Sequence, residues 1–310
     1  MPPSVSVIVV SDYAGGEEKS WTDLRKNLGN LAKQDFDEPV EVIYVENSAF
    51  EDQVPSDILQ IVPALKTVFV DAETSYQLKN AGVGAATGEF VVMLDADCTP
   101  EPEWLSAFVR SLRAYPEAGA ISGRTTYPGR NLLERILALT GRTYLNRPDT
   151  DETWTISNNN AAFRRSVLLE VPLTDRAGPF GGKMHARTIM NAGYKVMFEP
   201  RASAVHDFED WSMERDVRRN VGYASIKMRQ LEPTMEHAWM ARFGYLSIPL
   251  FFVARLLLTW WLCFRNFRNY EVALYELPVA LAVAVAIHVM ELPGMLQAVR
   301  DTPITETAYR

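Results

Sequence analysis

Four short apolar runs in the first hundred residues predict buried β-strands. Between them, the stretches 21–34 and 76–86 carry apolar residues at helical spacing, as Leu24, Leu28 and Leu31 do. Strands that alternate with helices in this way predict a parallel sheet covered by helices, built from right-handed β-α-β units. The four strand candidates are VSVIVV (5–10), VEVIYV (40–45), LKTVFV (65–70) and EFVVML (89–94), all rich in β-branched residues.

The same α/β pattern continues to about residue 200. It predicts helices at 103–115 and 132–144, a strand at 118–126, an extended segment at 154–163, and a strand at 196–200 that follows a glycine-capped helix. No internal repeat or low-complexity linker interrupts the sequence here. We therefore predict one α/β domain over residues 1–235.

Apolar residues concentrate after Phe243. The run FGYLSIPLFFVARLLLTWWLCF (243–264) is about long enough to cross a bilayer and is interrupted only by Pro249 and Arg255. The second run, LPVALAVAVAIHVM (277–290), is shorter and flanked by glutamates. The two runs predict a membrane-associated helical hairpin.

The membrane arrangement of this predicted hairpin is open. Arg265 and Arg268 lie in the connection, and the segment before the first run is also basic, so the positive-inside rule places both sides in the cytosol. This conflict favours a monotopic or re-entrant hairpin over two spans. The alternative is a pair of core helices in a soluble domain. We expect the helical region to extend over 236–300 and a polar tail over 301–310.

Charge and cysteine content narrow the function classes. A net charge of −8 disfavours binding to a nucleic-acid backbone, which needs a basic surface. Cys98 and Cys263 form neither a disulfide framework nor a metal motif, which indicates a reducing compartment. The short apolar N-terminal run has no basic residues before it and is not typical of a signal peptide. We expect a membrane protein whose catalytic domain faces the cytoplasm.

The acidic triplet Asp95-Ala96-Asp97 directly follows the fourth predicted strand. In open α/β sheets, ligands bind at the carboxyl ends of the strands. Two carboxylates one residue apart can both face a divalent cation, and Mg²⁺ or Mn²⁺ often bridges carboxylates to substrate phosphates. A solvated acidic turn is the competing interpretation. The position after a buried strand favours a metal-assisted nucleotide site.

The run KNAGVGAATGEFVVMLDADCTPEPEWL (79–105) resembles the stretch before the metal-binding triplet in inverting glycosyltransferases of family 2. The resemblance extends over about residues 4–230. It implies a GT-A nucleotide-sugar-binding fold, a Rossmann-like mixed sheet. It also implies Mg²⁺ or Mn²⁺ as cofactor and a nucleotide-sugar donor, with a UDP-sugar expected. By this resemblance Asp97 is a metal ligand, and Asp95 and Lys79 belong to the donor site.

Further positions follow in the order that the family requires. Ser11 and Asp12 occupy the first nucleotide loop, without that loop's usual Pro and Asn, and Glu46 lies where the family has an acid that grips the uracil or ribose. The run SNNNAAFRRSVLLEV resembles the acceptor-side element, so Asn159, Asn160 and Ala161 are expected to line the sugar pocket. The strand beginning VMFEP leads to His206, which would complete the metal shell because imidazole is a suitable ligand.

The chain departs from the family at the general base. Where the family places an acid that deprotonates the acceptor hydroxyl, this chain has Gly182-Lys183. An inverting transfer to a hydroxyl needs such a group within hydrogen-bond reach. His185 and Asp175 are the candidate substitutes nearby, and Lys183 is suited to an anionic acceptor or a phosphate.

The basic stretch 215–229 precedes the first apolar run. It fits either a solvated helix face or a contact with anionic lipid or diphosphate, with Arg218 and Arg219 as the favoured contacts. Together these features predict metal-dependent, inverting sugar transfer to a lipid-linked or saccharide acceptor near a membrane.

Two rival functions remain at this level. A catalytically impaired homologue would bind a nucleotide-sugar or a partner enzyme, and the missing base motivates this alternative. A nucleotidyltransferase would need a glycine-rich phosphate loop with a basic residue near the first strand, and residues 11–16 match that loop poorly.

Overall fold

The computed structural model describes residues 3–11, 18–174, 180–206 and 211–302, and these form a mixed sheet flanked by helices. The strands are β1 Val5–Val10, β2 Val40–Asn47, β3 Lys66–Val70, β4 Phe90–Asp95, β5 Cys98–Pro100, β6 Ala118–Thr126, β7 Asp151–Glu152, β8 Asn160–Arg164 and β9 Lys195–His206. The helices are α1 Glu18–Leu31, α2 Ser75–Ala85, α3 Trp104–Ala114, α4 Leu132–Arg142, α5 Arg165–Glu170, α6 Gly181–Asn191, α7 Trp211–Leu231, α8 Ser247–Asn266 and α9 Leu277–Val299.

The strands lie in the order β3-β2-β1-β4-β8-β6-β9-β5, with β7 paired to β9. Strands β1 to β4 are parallel, whereas β8 is antiparallel to both β4 and β6. Every residue of β1 and β4 is buried, because α1 and α3 cover one face and α2, α5 and α6 cover the other. A strand buried on both faces carries a continuous apolar run, which explains why these strands were recognisable. The mixed α/β fold predicted from the sequence is confirmed.

Two segments near the acidic triplet differ from the prediction. Residues 98–100, between the acidic triplet and the predicted helix 103–115, were not among the predicted strands, but they form β5, which pairs antiparallel with 204–206 of β9. A three-residue strand is too short to show a period. The predicted extended segment 154–163 is irregular up to residue 159, and only its end enters β8. Its polar Ser-Asn-Asn sequence forms a turn, which leaves that turn at the edge of the sheet.

The C-terminal helices form a layer with close backbone contacts. A Cβ atom at Gly222 of α7 would overlap the Glu291 carbonyl oxygen, and one at Gly294 of α9 would overlap that of Arg219. These two glycines therefore let α7 and α9 approach each other directly. The boundary predicted near residue 235 stays a prediction, because α7, which precedes it, packs on α9.

A buried polar network joins α8 to α9. Arg255 donates to both carboxylate oxygens of Glu291 at 2.9 and 2.8 Å, and His288 Nδ1 lies 3.0 Å from the same carboxylate. Thr259 Oγ1 lies 2.9 Å from His288 Nε2. Helix α9 continues to Val299, past the apolar run that ends at Met290, and these partners compensate the buried charge of Glu291 within it.

Two segments, Ala238–Tyr270 and Leu274–Val299, are long and apolar enough to cross a membrane. Only 22% of the apolar window in the first and 39% in the second is buried inside the protein. A core helix of a soluble domain is mostly buried, so this exposure favours membrane association over that alternative. Large apolar side chains on α8, among them Val253, Leu257 and Phe264, are more than half exposed.

Candidate active site

Asp95 lies at the carboxyl end of β4 in a buried ion pair. Its Oδ1 atom is 2.8 Å from the Nζ atom of Lys79 on α2, and the side chains of both residues are 2% exposed. The Lys79 ammonium also lies 5.8 Å from the centroid of the Tyr76 ring. Removing two charges from water is costly, and the pair offsets that cost only while both members are present. The structure thus brings two predicted donor-site residues into direct contact.

Asp97 and His206 meet beside this pair. The Oδ2 atom of Asp97 is 3.0 Å from Nε2 of His206. The pairing of β5 with β9 places Cys98 opposite His206, and this brings Asp97, the residue before Cys98, next to the His206 ring. Burial, followed by the charges of Asp97 and Asp95, raises the pKa of the Cys98 thiol, so that thiol stays protonated.

The donor atoms of Asp97 and His206 suit a divalent cation. A carboxylate oxygen and a neutral imidazole nitrogen are both accepted by Mn²⁺, and the carboxylate suits Mg²⁺. Within the described ranges, no three His, Cys, Asp or Glu residues converge as a metal-binding group. The part of the chain that the structure describes would then supply Asp97 and His206 as ligands, with water or substrate phosphate at further positions, as is common for Mg²⁺.

Glu46 and Ser11 follow the neighbouring strands. Glu46, 1% exposed at the end of β2, accepts hydrogen bonds from the Tyr44 hydroxyl at 2.8 Å and the Asn47 amide at 2.7 Å. Burial and the Glu46 carboxylate raise the pKa of Tyr44, so its hydroxyl remains a donor. Ser11 follows β1 and is 6% exposed. These candidates share the sheet edge of Asp95, whereas Asp12 lies outside the described residues.

Asn160 has a different environment from the one predicted. Its Oδ1 atom accepts a 2.7 Å hydrogen bond from Trp104 Nε1, and its amide nitrogen donates to the carbonyls of Arg124 and Ala202. The side chain is fully buried and joins α3 to β6 and β9. Ala161 is buried as well, whereas Asn159, the third residue expected in the pocket, lines a cavity beside the acidic triplet together with Asn158.

The two candidate bases are not brought to the acidic triplet. His185 lies on α6 and its side chain is buried. Its Nε2 atom is 2.9 Å from the Val171 carbonyl oxygen, and its ring is 5.5 Å from that of Phe163. Burial lowers the pKa of His185, and the Val171 hydrogen bond opposes this shift. The ring does not line the cavity that opens beside the acidic triplet. Asp175 lies outside the described residues.

A cavity of about 960 Å³ opens beside the acidic triplet and extends to the C-terminal helices. Its lining includes Asp95 and His206 at the strand ends, the turn 157–159, and residues of α4 and α7. Helices α8 and α9 contribute the apolar side chains Phe251, Leu258, Leu262 and Ile287 and the polar side chains Arg255, Thr259 and His288. The cavity therefore connects the strand ends to the predicted membrane region.

The backbone at Gly182 leaves no space for an acidic side chain. A Cβ atom there would overlap the Ile156 carbonyl oxygen and approach Asn158 Oδ1, and the Ile156 amide donates to the Gly182 carbonyl oxygen at 3.3 Å. The adjacent Lys183 is paired with Glu236 at 2.7 Å. The hydrogen bond from Lys183 lowers the pKa of Glu236. The local packing at Gly182 therefore excludes an acidic side chain from the position of the general base.

Three comparisons with known proteins bear on the family and the fold of this chain. The sequence model described as Glycosyl transferase family 2 matches residues 16–171, half of the chain. Glycosyltransferase AglE of Haloferax volcanii is 23% identical over 245 residues, or 74% of this chain and 75% of that protein. Mannosyltransferase PcManGT from Pyrobaculum calidifontis, solved in complex with GDP-Man and Mn²⁺, superposes with a TM-score of 0.63 at 20% identity, covering 98% of this chain and 89% of that chain. The structural likeness confirms the expected fold.

Proposed function

The chain belongs to glycosyl transferase family 2 and is a glycosyltransferase, and on that premise we propose its substrates and the roles of its site residues. It transfers a sugar from a nucleotide-diphosphate donor to an acceptor at a membrane, with a divalent metal and with inversion at the anomeric carbon. The observation that carries this proposal is one continuous cavity between the carboxyl ends of the strands and the exposed apolar helices.

The donor half of the proposal rests on the sheet edge. Glu46 and Ser11 are placed to hold the nucleoside, because ligands of open α/β sheets bind at this edge. Lys79 fixes the orientation of the Asp95 carboxylate. Asp97 and His206 would hold Mg²⁺ or Mn²⁺, which when bound neutralises charge on the leaving diphosphate. The Mn²⁺ and GDP-Man named for PcManGT support this donor chemistry and make GDP as strong a candidate as UDP.

The acceptor half rests on the C-terminal helices. Helices α8 and α9 line part of the cavity, largely with apolar side chains, and most of the apolar window of each is exposed. An acceptor that is anchored in a membrane could enter from that side while its reactive group reaches the turn 157–159. We place the catalytic domain on the cytoplasmic side. A catalytically impaired homologue remains the competing function, since Gly182 carries no base.

The donor site is tested by calorimetric titration of the purified chain with UDP and with GDP, each with and without Mn²⁺. We expect binding that requires Mn²⁺ and is lost in Asp97→Ala. The exposed acid Asp37 provides a control, and Asp37→Ala should bind as the wild type does. Failure to bind either nucleotide would overturn the proposal. Release of pyrophosphate from a nucleoside triphosphate would favour a nucleotidyltransferase instead.

A further inference from the structure

The carboxylates that line the cavity are all engaged by cations. Among the described lining residues, the Asp and Glu side chains are Asp95, Glu214 and Glu236. Asp95 is paired with Lys79 and Glu236 with Lys183. Glu214 accepts from Arg218 at 2.6 Å. Each carboxylate thus holds a Lys or Arg side chain instead of facing an acceptor hydroxyl.

The histidines of the lining leave one further candidate base. His206 lies on Asp97, and His288 is bonded to Thr259 and Glu291. His237 is exposed beside Glu236. Among the described residues that line the cavity, a hydroxyl acceptor would therefore have only His237 or water to use as a base, whereas an acceptor that is already an anion would need neither.

Two arginines from different helices converge beside the metal-ligand pair. The guanidinium of Arg142, in the last turn of α4, lies 5.4 Å from the centroid of the Tyr127 ring, and that ring lies 6.0 Å from the His206 ring. Arg218 of α7 packs against α4, with Nη2 3.3 Å from where a Cβ of Gly141 would be. Arg218 is 6% exposed and lines the cavity. Guanidinium groups match the geometry of phosphate oxygens.

The lining of the cavity carries more positive than negative side chains. Six Lys and Arg side chains line it against three Asp and Glu, counted over the described residues. Helix α8 adds the apolar side chains Phe251, Leu258 and Leu262 to the same wall, together with Arg255. Guanidinium groups and apolar side chains in one cavity beside a candidate metal ligand fit a ligand with an anionic head and a hydrocarbon tail.

We infer that the acceptor is a lipid phosphate monoester, held by Arg142 and Arg218, whose phosphate oxygen attacks the donor sugar directly. This inference rests on the proposed function. A phosphate monoester is mostly dianionic at neutral pH because its second pKa is about 6. A non-bridging oxygen bonds to the anomeric carbon, the bond from that carbon to the donor phosphate breaks, and its electron pair leaves on the nucleoside diphosphate. No proton has to be removed, so Gly182 is compatible with an active enzyme.

The acceptor is tested with the full chain in detergent, Mn²⁺ and a set of UDP- and GDP-sugars. The matched acceptors are geranylgeranyl phosphate, geranylgeraniol and inorganic phosphate. We expect transfer to the lipid phosphate alone, giving a product that mild acid cleaves back to the free sugar. Transfer to the alcohol, or to inorganic phosphate as efficiently as to the lipid phosphate, would overturn the inference.

The arginine roles are tested by Arg142→Gln and Arg218→Lys. Arg218→Lys keeps a positive charge beside Glu214, so the variant is expected to fold. It therefore tests the loss of the planar guanidinium group separately from a loss of folding. We expect the KM for the lipid phosphate to rise at least about tenfold in each, with the Kd of the nucleoside diphosphate unchanged. The exposed Arg215 on the same helix provides the control Arg215→Gln, which should behave as wild type.

Three results separate failure of the inference from failure of the proposed function. If the arginine variants weaken nucleoside diphosphate binding as much as they raise the acceptor KM, these residues serve the donor and the inference falls. Loss of turnover in His237→Gln with donor binding intact would identify a base and also overturn it. Absence of Mn²⁺-dependent nucleotide binding in the wild type would instead remove the proposed function itself.

Discussion

The two ends of the cavity are built in different ways. At the donor end, strand register alone brings the polar groups together, since Val10 of β1 lies opposite both Val45 of β2 and Asp95 of β4. At the other end, Arg142 and Arg218 lie 76 positions apart along the chain, on different helices, and meet only through packing. A short motif can therefore identify the donor end, whereas the acceptor end depends on tertiary structure.

The family match shows the same division. It covers residues 16–171, which include β2 to β4, the acidic triplet and α4, but it ends before Gly182, Arg218 and the C-terminal helices. The glycine at the base position lies in the part of the chain that the family model does not match. The match therefore supports a nucleotide-sugar donor, whereas the acceptor has to be inferred from residues of this chain outside the match.

The largest effect is expected at the donor end, from Asp97→Asn. The substitution keeps the size of the side chain but removes the charge that would hold the metal. We expect kcat/KM to fall by about four orders of magnitude, or about 5 kcal/mol, because the metal stabilises the leaving diphosphate. Initial rates at saturating Mn²⁺ measure this. Asp37→Asn is the matched control, and a loss below about tenfold in Asp97→Asn would break the assignment of donor chemistry to this end.

The next effect concerns the buried pair between Lys79 and Asp95. Lys79→Met leaves the Asp95 carboxylate buried without its cation, which is expected to lower the free energy of unfolding by about 3 to 4 kcal/mol. Adding Asp95→Asn removes the stranded charge and should restore part of the loss. Denaturant unfolding in detergent measures both. The exposed Lys33 provides the control Lys33→Met, and equal stability of the single and double variants would contradict the ion-pair interpretation.

A smaller effect tests which asparagine belongs to the cavity. Asn160→Ala removes partners from Trp104 and two backbone carbonyls, so we expect a loss of about 1 to 3 kcal/mol in unfolding free energy and an unchanged nucleotide Kd. Asn158→Ala, at the cavity surface, should show less destabilisation and a higher acceptor KM. A change in nucleotide Kd for Asn160→Ala without loss of stability would contradict this structural role and indicate that Asn160 contacts the donor.

These residues show how far sequence reasoning extends. The buried strands and the position of Asp95 and Asp97 were predictable, because β-branched runs and strand-end motifs are local signals. The run of three asparagines gave no way to tell Asn160, which is buried in a hydrogen-bond network, from Asn158 and Asn159, which line the cavity. Arg142 was missed because its only sequence signal is a basic residue at the end of a predicted helix, which usually caps that helix.

The smallest effect is the pH dependence contributed by His185. Burial lowers its pKa below the ordinary value of 6.5, so the folded protein binds this proton less tightly than the unfolded chain. Stability from this residue is therefore complete well above pH 6.5 and decreases as the pH falls through 6.5, which unfolding measurements between pH 7.5 and 5.5 would detect. His185→Gln should remove that difference, whereas His237→Gln, with its exposed ring, should retain it. Equal pH dependence in wild type and His185→Gln would contradict this interpretation, because it would show that folding does not lower the pKa of His185.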